Sequence, residues 1–87
     1  MYCIIVYDIS GEVVVKVCHY LRIYMNWIQN SVFEGELTKS QLYEIKTRLK
    51  TMINTETDSL LIYTVNSQKE LSREQIGTPK RGTDRII

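Results

Sequence analysis

Asp8 is the residue whose position most clearly suggests chemistry. It follows the apolar run MYCIIVY, residues 1 to 7, and a turn containing Ser10 and Gly11 comes directly behind it. A carboxylate at the end of a buried strand can bind Mg²⁺, which takes few protein ligands and completes its shell with water and phosphate oxygens. An aspartate in this position also commonly hydrogen-bonds the turn or caps the next helix. The residue alone favours the turn interpretation, whereas two Asp8 carboxylates facing each other across a dimer axis would form a better metal site.

Ser31 and Phe33 form a second candidate set, because on a strand they would share one face with Gln29. Their spacing alone is typical of a strand hydroxyl and a core aromatic residue. Gly35 is expected to mark a bulge or bend in this segment. His19, the single histidine, lies on a polar helix stripe without an acidic neighbour, so we expect a solvated side chain rather than a catalytic base.

Charge and cysteine content limit the possible functions. The 87 residues carry 11 basic and 10 acidic side chains, a net charge of +1, so tight nucleic-acid binding would need a local patch, a doubled patch in a dimer, or a partner. Cys3 and Cys18 lack metal-site spacing and are expected to be buried, reduced thiols. Phosphate-binding, nucleophile-elbow and zinc motifs are absent. Two basic sets remain, on one helix flank with Tyr43 and in the tail: Lys39, Lys46, Lys50, and Lys80, Arg81, Arg85.

The chain length predicts one domain over residues 1–87, with a thin core over 1–65. The apolar start is too short for an export signal or a membrane span, so we expect a cytoplasmic location and no membrane contact.

The order of elements indicates an α+β fold. Residues 2–7 read as a central strand, 12–25 as a helix, 27–37 as one strand or two, 38–53 as a helix with a Thr38–Gln41 capping box, and 59–65 as a buried strand. This is the βαββαβ order of a ferredoxin-like fold, with both helices on one side of an antiparallel sheet.

A ferredoxin-like sheet leaves one apolar face bare, here bearing Tyr2, Ile4 and Val6 or their alternates. Two copies stacked face to face would cover it, which predicts a homodimer. The tail, residues 66–87, contains a possible extra strand at residues 74–76 and ends in Ile86 and Ile87. We therefore expect it to dock, with the partner copy as the expected surface.

Several segments in register resemble one known family. "YDIS" ends the first strand, "QNSVFEGEL" follows, and "DSLLIYTV" forms the last core strand, with "REQIGTPKRGTDRII" similar to the family's closing segment. Together they resemble CRISPR-associated protein two, the smaller of the two CRISPR adaptation proteins.

The resemblance implies a ferredoxin-like homodimer whose additional C-terminal strand joins the partner's sheet. It implies a bridge between dimers of the CRISPR integrase, protein one, that holds spacer DNA during integration. It further implies a magnesium-dependent endonuclease, a metal-dependent phosphodiesterase acting on single-stranded RNA or double-stranded DNA. The metal ligand would be Asp8 of both subunits, and the catalytic set would be Asp8, Ser31 and Phe33.

The sequence departs from the family pattern near this site. Many members have an arginine where this chain has Trp27, and basic residues where this chain has Glu12 and Val13. Both changes remove positive charge, which bears on cleavage more than on the architectural role. The alternative that does not use the resemblance is a ferredoxin-like regulatory dimer that binds a small ligand and has no nucleic-acid role.

Overall fold

The computed structural model describes residues 1–78; residues 79–87, including the tail cations Lys80, Arg81 and Arg85 and the terminal Ile86 and Ile87, lie outside the described part. The element order is β1 (Tyr2–Asp8), α1 (Val13–Leu21), β2 (Asn26–Gln29), β3 (Val32–Glu36), α2 (Lys39–Met52), β4 (Ser59–Val65) and a short 3₁₀ helix (Gln68–Glu70). The predicted α+β order is confirmed. Among residues 1–78, no helix is long and apolar enough to cross a membrane.

The four strands form one antiparallel sheet in the order β2-β3-β1-β4, so β1 is central as predicted. Alternate residues of β1 point to opposite faces. Cys3, Ile5 and Tyr7 face the helices and are buried. They pack in a core with residues of both helices and of β3: Val17, Cys18, Leu21, Phe33, Ile45 and Leu49.

On the opposite face of the sheet, the described residues leave several apolar side chains only partly covered. Ile4 and Val6 are only half-buried, and their β4 neighbours Tyr63 and Leu61 are 55% and 57% exposed. Its uninterrupted apolar sequence suggests that β1 is covered on both faces, but residues 1–78 of one copy do not provide that cover. We call this surface, formed by Ile4, Val6, Val32, Leu61 and Tyr63, the open face.

The segment predicted as one strand or two is a hairpin, with Asn30 at φ 41° in its turn. Asparagine tolerates this left-handed conformation. A bulge lies between Trp27 and Gln29, so Gln29 pairs with Val32 while Trp27 pairs with Phe33. The predicted common face for Gln29 and Phe33 is wrong, because the turn and the bulge place them on opposite faces.

Gly35 is not the site of the bulge; it pairs regularly with Cys3. A Cβ at position 35 would lie 3.2 Å from Met25 Cα and 3.3 Å from Tyr24 O. The glycine is needed because the chain leaving α1 passes directly over this strand. That close approach follows from α1 ending at Leu21, earlier than the predicted Met25.

The second helix begins as predicted. The Thr38 hydroxyl accepts a hydrogen bond from Gln41 N at 3.0 Å, and the Gln41 side chain accepts one from Thr38 N at 2.9 Å. This reciprocal pair satisfies backbone donors that a helix start otherwise leaves unpaired.

The tail leaves β4 and returns over the open face, where Arg73 reaches Glu34 of β3. Residues 66–78 contain no fifth strand, so the predicted strand at 74–76 is not formed in the described chain. A β-strand requires backbone hydrogen bonds to a neighbouring strand, and residues 74–76 pair with none of the four strands.

Candidate functional site

Asp8 ends β1 on the same side of the sheet as the open face. Asp8 pairs with Ser59, two residues along β1 from the Val6–Leu61 pair, so both pairs lie on the same face of the sheet. The side chain is exposed, and within residues 1–78 its carboxylate takes part in no hydrogen bond or salt bridge. The carboxylate oxygens are therefore accessible to a ligand.

The turn behind β1 is bound by a different acid. Asp58 Oδ1 accepts hydrogen bonds from Ser10 N at 3.3 Å and from Ser10 Oγ at 3.4 Å, and Oδ2 accepts one from Asn54 N at 3.1 Å. Backbone donation from Asn54 is the main cause that lowers the pKa of Asp58, with donation from Ser10 adding to it. Asp8 does not cap α1 either, because Glu12 occupies the N-cap position. The structural role that the sequence suggested for Asp8 thus belongs to Asp58.

Phe33 lies on β3, the strand that neighbours β1, whereas Ser31 lies in the hairpin turn directly before β3. Ser31 O accepts the backbone hydrogen bond from Tyr7 N at 3.0 Å, which places the hairpin turn beside the residue preceding Asp8. Phe33 is completely buried, and its ring lies 6.0 Å from the Tyr7 ring. Phe33 therefore reaches Asp8 only through Tyr7 and the backbone. The catalytic roles of these two residues stay predictions.

Tyr7 fixes the end of β1 from the helix side of the sheet. Its hydroxyl donates to Asn30 O at 3.1 Å and accepts from the Cys18 thiol at 3.2 Å. Burial raises the pKa of Tyr7 above its usual value and also raises the pKa of the Cys18 thiol. Both side chains therefore stay neutral at physiological pH, and the cysteines are free and buried as predicted.

The hairpin also anchors Trp27. Its indole Nε1 donates to Asn30 O at 2.9 Å, the same carbonyl that Tyr7 uses. The Arg22 guanidinium carbon lies 5.7 Å from the centre of the indole ring, within the range of a cation–π contact. Trp27 thus contacts an arginine that follows the last residue of α1.

A buried carboxylate lies on the other flank of the open face. Glu34 is 3% exposed; it accepts a hydrogen bond from the Tyr2 hydroxyl at 2.8 Å and forms a salt bridge with Arg73. Burial, followed by this hydrogen bond, raises the pKa of Tyr2 to about 12. The network attaches the tail to the sheet.

The described residues hold no group of three or more His, Cys, Asp or Glu side chains that could bind a metal. Asp8 fits a shared Mg²⁺ site in its exposure and free oxygens, but one copy supplies only one such carboxylate. His19 is exposed, as expected, and so are Lys39, Lys46 and Lys50 on α2. A groove of about 660 Å³ between the helices is lined by three tyrosines and Arg48, on the face of the sheet opposite Asp8.

Sequence reasoning missed three features of this region: Asp58, the Glu34–Arg73 pair and the Arg22–Trp27 pair. Each joins residues from different elements, so periodicity could not pair them. Only Glu34 gave a weak local signal. An acid within a largely apolar strand is rarely buried unless it is paired, so its position indicates a partner.

Known proteins match this chain over nearly its whole length. The family described as "CRISPR associated protein Cas2" matches residues 1–73. The proteins named "CRISPR-associated endoribonuclease Cas2" from Methanosarcina acetivorans and Methanothermobacter thermautotrophicus are 52% and 44% identical over 87 residues, which is 100% of this chain in both cases and 100% and 96% of the relatives.

Solved structures agree with the sequence relatives. One described as "Crystal structure of cas2" has a TM-score of 0.85 and 45% identity, covering 100% of this chain and 98% of its own. The Streptococcus pyogenes Cas2 crystal structure has a TM-score of 0.75 and 30% identity, covering 88% of this chain and 100% of its own. The ferredoxin-like α+β fold and the sequence matches lead to one conclusion: the chain belongs to the family of CRISPR-associated protein Cas2.

Proposed function

We propose that this protein is a CRISPR adaptation protein that works as a homodimer paired through the open face. Support comes from the apolar side chains there, of which Leu61 and Tyr63 are more than half exposed. Burying such surface contributes roughly 25 cal/mol per Å². In a two-fold symmetric dimer, each residue at the edge of this interface, including Asp8, is present twice.

Asp8 carries the chemical part of the proposal. Its carboxylate is exposed, it lies at the strand end bordering the open face, and it is not used by the turn behind it. Pairing would bring two such groups to one cleft. Two Asp8 side chains would hold Mg²⁺ there, and a bound Mg²⁺ would activate water and neutralise charge developing on a phosphodiester.

Neighbouring residues of each copy hold its Asp8 in position. Phe33 packs against Tyr7, and Tyr7 is tied to the hairpin through Asn30 and Ser31, so the end of β1 is held from both the core and the neighbouring strand. The substrate class is a nucleic acid, with single-stranded RNA favoured by the endoribonuclease naming of the relatives and double-stranded DNA as the other candidate.

A second function, favoured by charge, is architectural: the dimer bridges two integrase dimers and holds spacer DNA without cutting it. The net charge of +1 gives the protein little affinity of its own for a polyanion. A partner supplying DNA affinity would remove that difficulty.

An Asp8→Asn substitution separates the two functions. We expect it to abolish Mg²⁺-dependent cleavage of RNA or DNA and to weaken Mg²⁺ binding measured by calorimetry. Glu12→Gln is the matched control, since it removes the same charge from an exposed acid in the following turn and should leave cleavage intact.

Cleavage that persists in purified Asp8→Asn protein would refute the metal-ligand role. Spacer acquisition that persists in cells carrying Asp8→Asn would show that the architectural function does not require cleavage. The small-ligand regulatory alternative gains no support, because the chain belongs to a CRISPR-associated family.

A further inference from the structure

We propose that Arg22 and Trp27 form a stacking site for an unpaired base of a single-stranded nucleic acid. The inference rests on the proposed nucleic-acid function and adds a binding site to it. It starts from the contact between the Arg22 guanidinium and the Trp27 ring, at 5.7 Å from the ring centre.

Trp27 is a fixed support. Its indole N–H is held by Asn30 O at 2.9 Å, and the half-buried ring packs against the core. A ring held on its inner side and at its edge loses little further freedom when something stacks outside it. Preorganisation of this kind favours binding, because the side chain loses less conformational entropy when the ligand binds.

Arg22 forms the outer layer. The residue is exposed, and within residues 1–78 it forms no salt bridge. A guanidinium held against an indole keeps its charge and can offer donors to a phosphate while its plane stacks on a base. By contrast, Arg48, which contacts Tyr20 at 5.8 Å, lies in the helix groove beside Glu44. The negative charge of Glu44 close by weakens the electrostatic attraction between Arg48 and a nucleic acid.

The pair is connected to the proposed cleavage site through the hairpin. Asn30 O accepts hydrogen bonds from both Trp27 Nε1 and the Tyr7 hydroxyl, and Asp8 follows Tyr7 directly. Trp27 points to the helix side of the sheet and Asp8 to the open side. A nucleic acid that contacts both Trp27 and Asp8 must therefore bend around the end of the hairpin. A flexible single-stranded nucleic acid can bend in this way, and a stiff duplex cannot.

The ligand class follows from the stacking surface. Bases in a duplex are already stacked and paired, whereas single strands present base faces to aromatic rings and arginine planes. The site therefore selects single strands over duplexes.

The experiment uses the fluorescence of Trp27, the single tryptophan of the chain. The full-length protein is titrated with a 12-nucleotide uridine-rich RNA, and separately with the same RNA annealed to its complement, in EDTA so that metal-dependent cleavage cannot occur. We expect the single strand to quench Trp27 and the duplex to do so far more weakly. Arg22→Gln should reduce single-strand affinity by about tenfold, in line with the loss of one stacked base and one charge.

Two variants complete the test. Arg22→Lys keeps the charge but not the plane, so it should restore only part of the affinity; Arg48→Gln removes an equal charge elsewhere and should bind as the parent does. Full affinity in Arg22→Lys, equal losses in Arg22→Gln and Arg48→Gln, or no quenching by the single strand would each overturn the stacking site. Asp8→Asn should quench normally, so loss of cleavage in Asp8→Asn and loss of quenching in Arg22→Gln report on the two proposals separately.

Discussion

Asp58 binds Ser10 across a sequence separation of 48 residues, accepting hydrogen bonds from its backbone N–H at 3.3 Å and its hydroxyl at 3.4 Å. The contact ties the turn after β1 to the loop before β4. Because Asp58 takes this structural duty, the Asp8 carboxylate two residues before Ser10 is left exposed. Two aspartates close to the same turn thus have separate roles, one structural and one available for a ligand.

The Asp58 contact should make stability depend on pH. The pKa of Asp58 is lower in the folded protein than its usual value, so its contribution is fully present above the unfolded pKa of about 3.9 and is lost as pH falls through the folded pKa. We expect Asp58→Asn to lower the melting temperature by several degrees at neutral pH, with the difference shrinking below about pH 4. Thermal melts across pH would measure this. Asp8→Asn is the control and should melt like the parent near neutral pH; a constant deficit in Asp58→Asn at all pH values would contradict the assignment.

Gly35→Ala should destabilise the fold by about 1–3 kcal/mol. The new Cβ would meet Met25 Cα at 3.2 Å and Tyr24 O at 3.3 Å, and backbone atoms of a packed segment cannot move aside cheaply. Gly11→Asn is the matched control, because position 11 has φ +79° but open space around it, and asparagine tolerates that conformation. Urea unfolding gives both values. Equal losses at the two positions would mean that the close approach at Gly35 does not matter.

Arg73→Met should cost about 1–3 kcal/mol of unfolding free energy, since it leaves the buried Glu34 carboxylate without its cation. The loss is moderated because the Arg73 side chain is 48% exposed. Lys69→Met, an exposed tail cation without this contact, should be nearly neutral. Unfolding is compared at one protein concentration, because pairing would make stability concentration-dependent. Adding Glu34→Gln to Arg73→Met should recover part of the loss; a simple sum of the two single effects would rule out coupling.

Ending the chain after Arg73 should weaken pairing of two copies. The tail crosses the open face at Arg73, and Ile76 beyond it is 92% exposed in a single chain, which suits a contact with a second copy. Sedimentation at micromolar concentration would show a shift toward the monomer mass. An unchanged mass would remove the tail from the proposed interface while leaving the open face as its main part.

Local patterns in the sequence predicted much of this architecture. The apolar run before Asp8 predicted the central strand, and the Thr38–Gln41 spacing predicted the start of α2. These features depend on residues close in sequence, where spacing reports geometry directly. Predictions failed where two segments of backbone meet. The sequence predicts a bulge or bend at Gly35, whereas the glycine in fact makes room for Met25, which comes from another part of the chain.

The sequence by itself determined the order of elements, the family resemblance and the identity of Asp8 as the residue of interest. Only the tertiary structure decided which aspartate binds the turn, that Arg73 reaches Glu34, and that Arg22 covers Trp27. The physical reason is that side-chain hydrogen bonds, ion pairs and cation–π contacts act over a few ångströms. Which residues come within that range is set by how helices and strands pack, and a one-dimensional pattern does not contain that information.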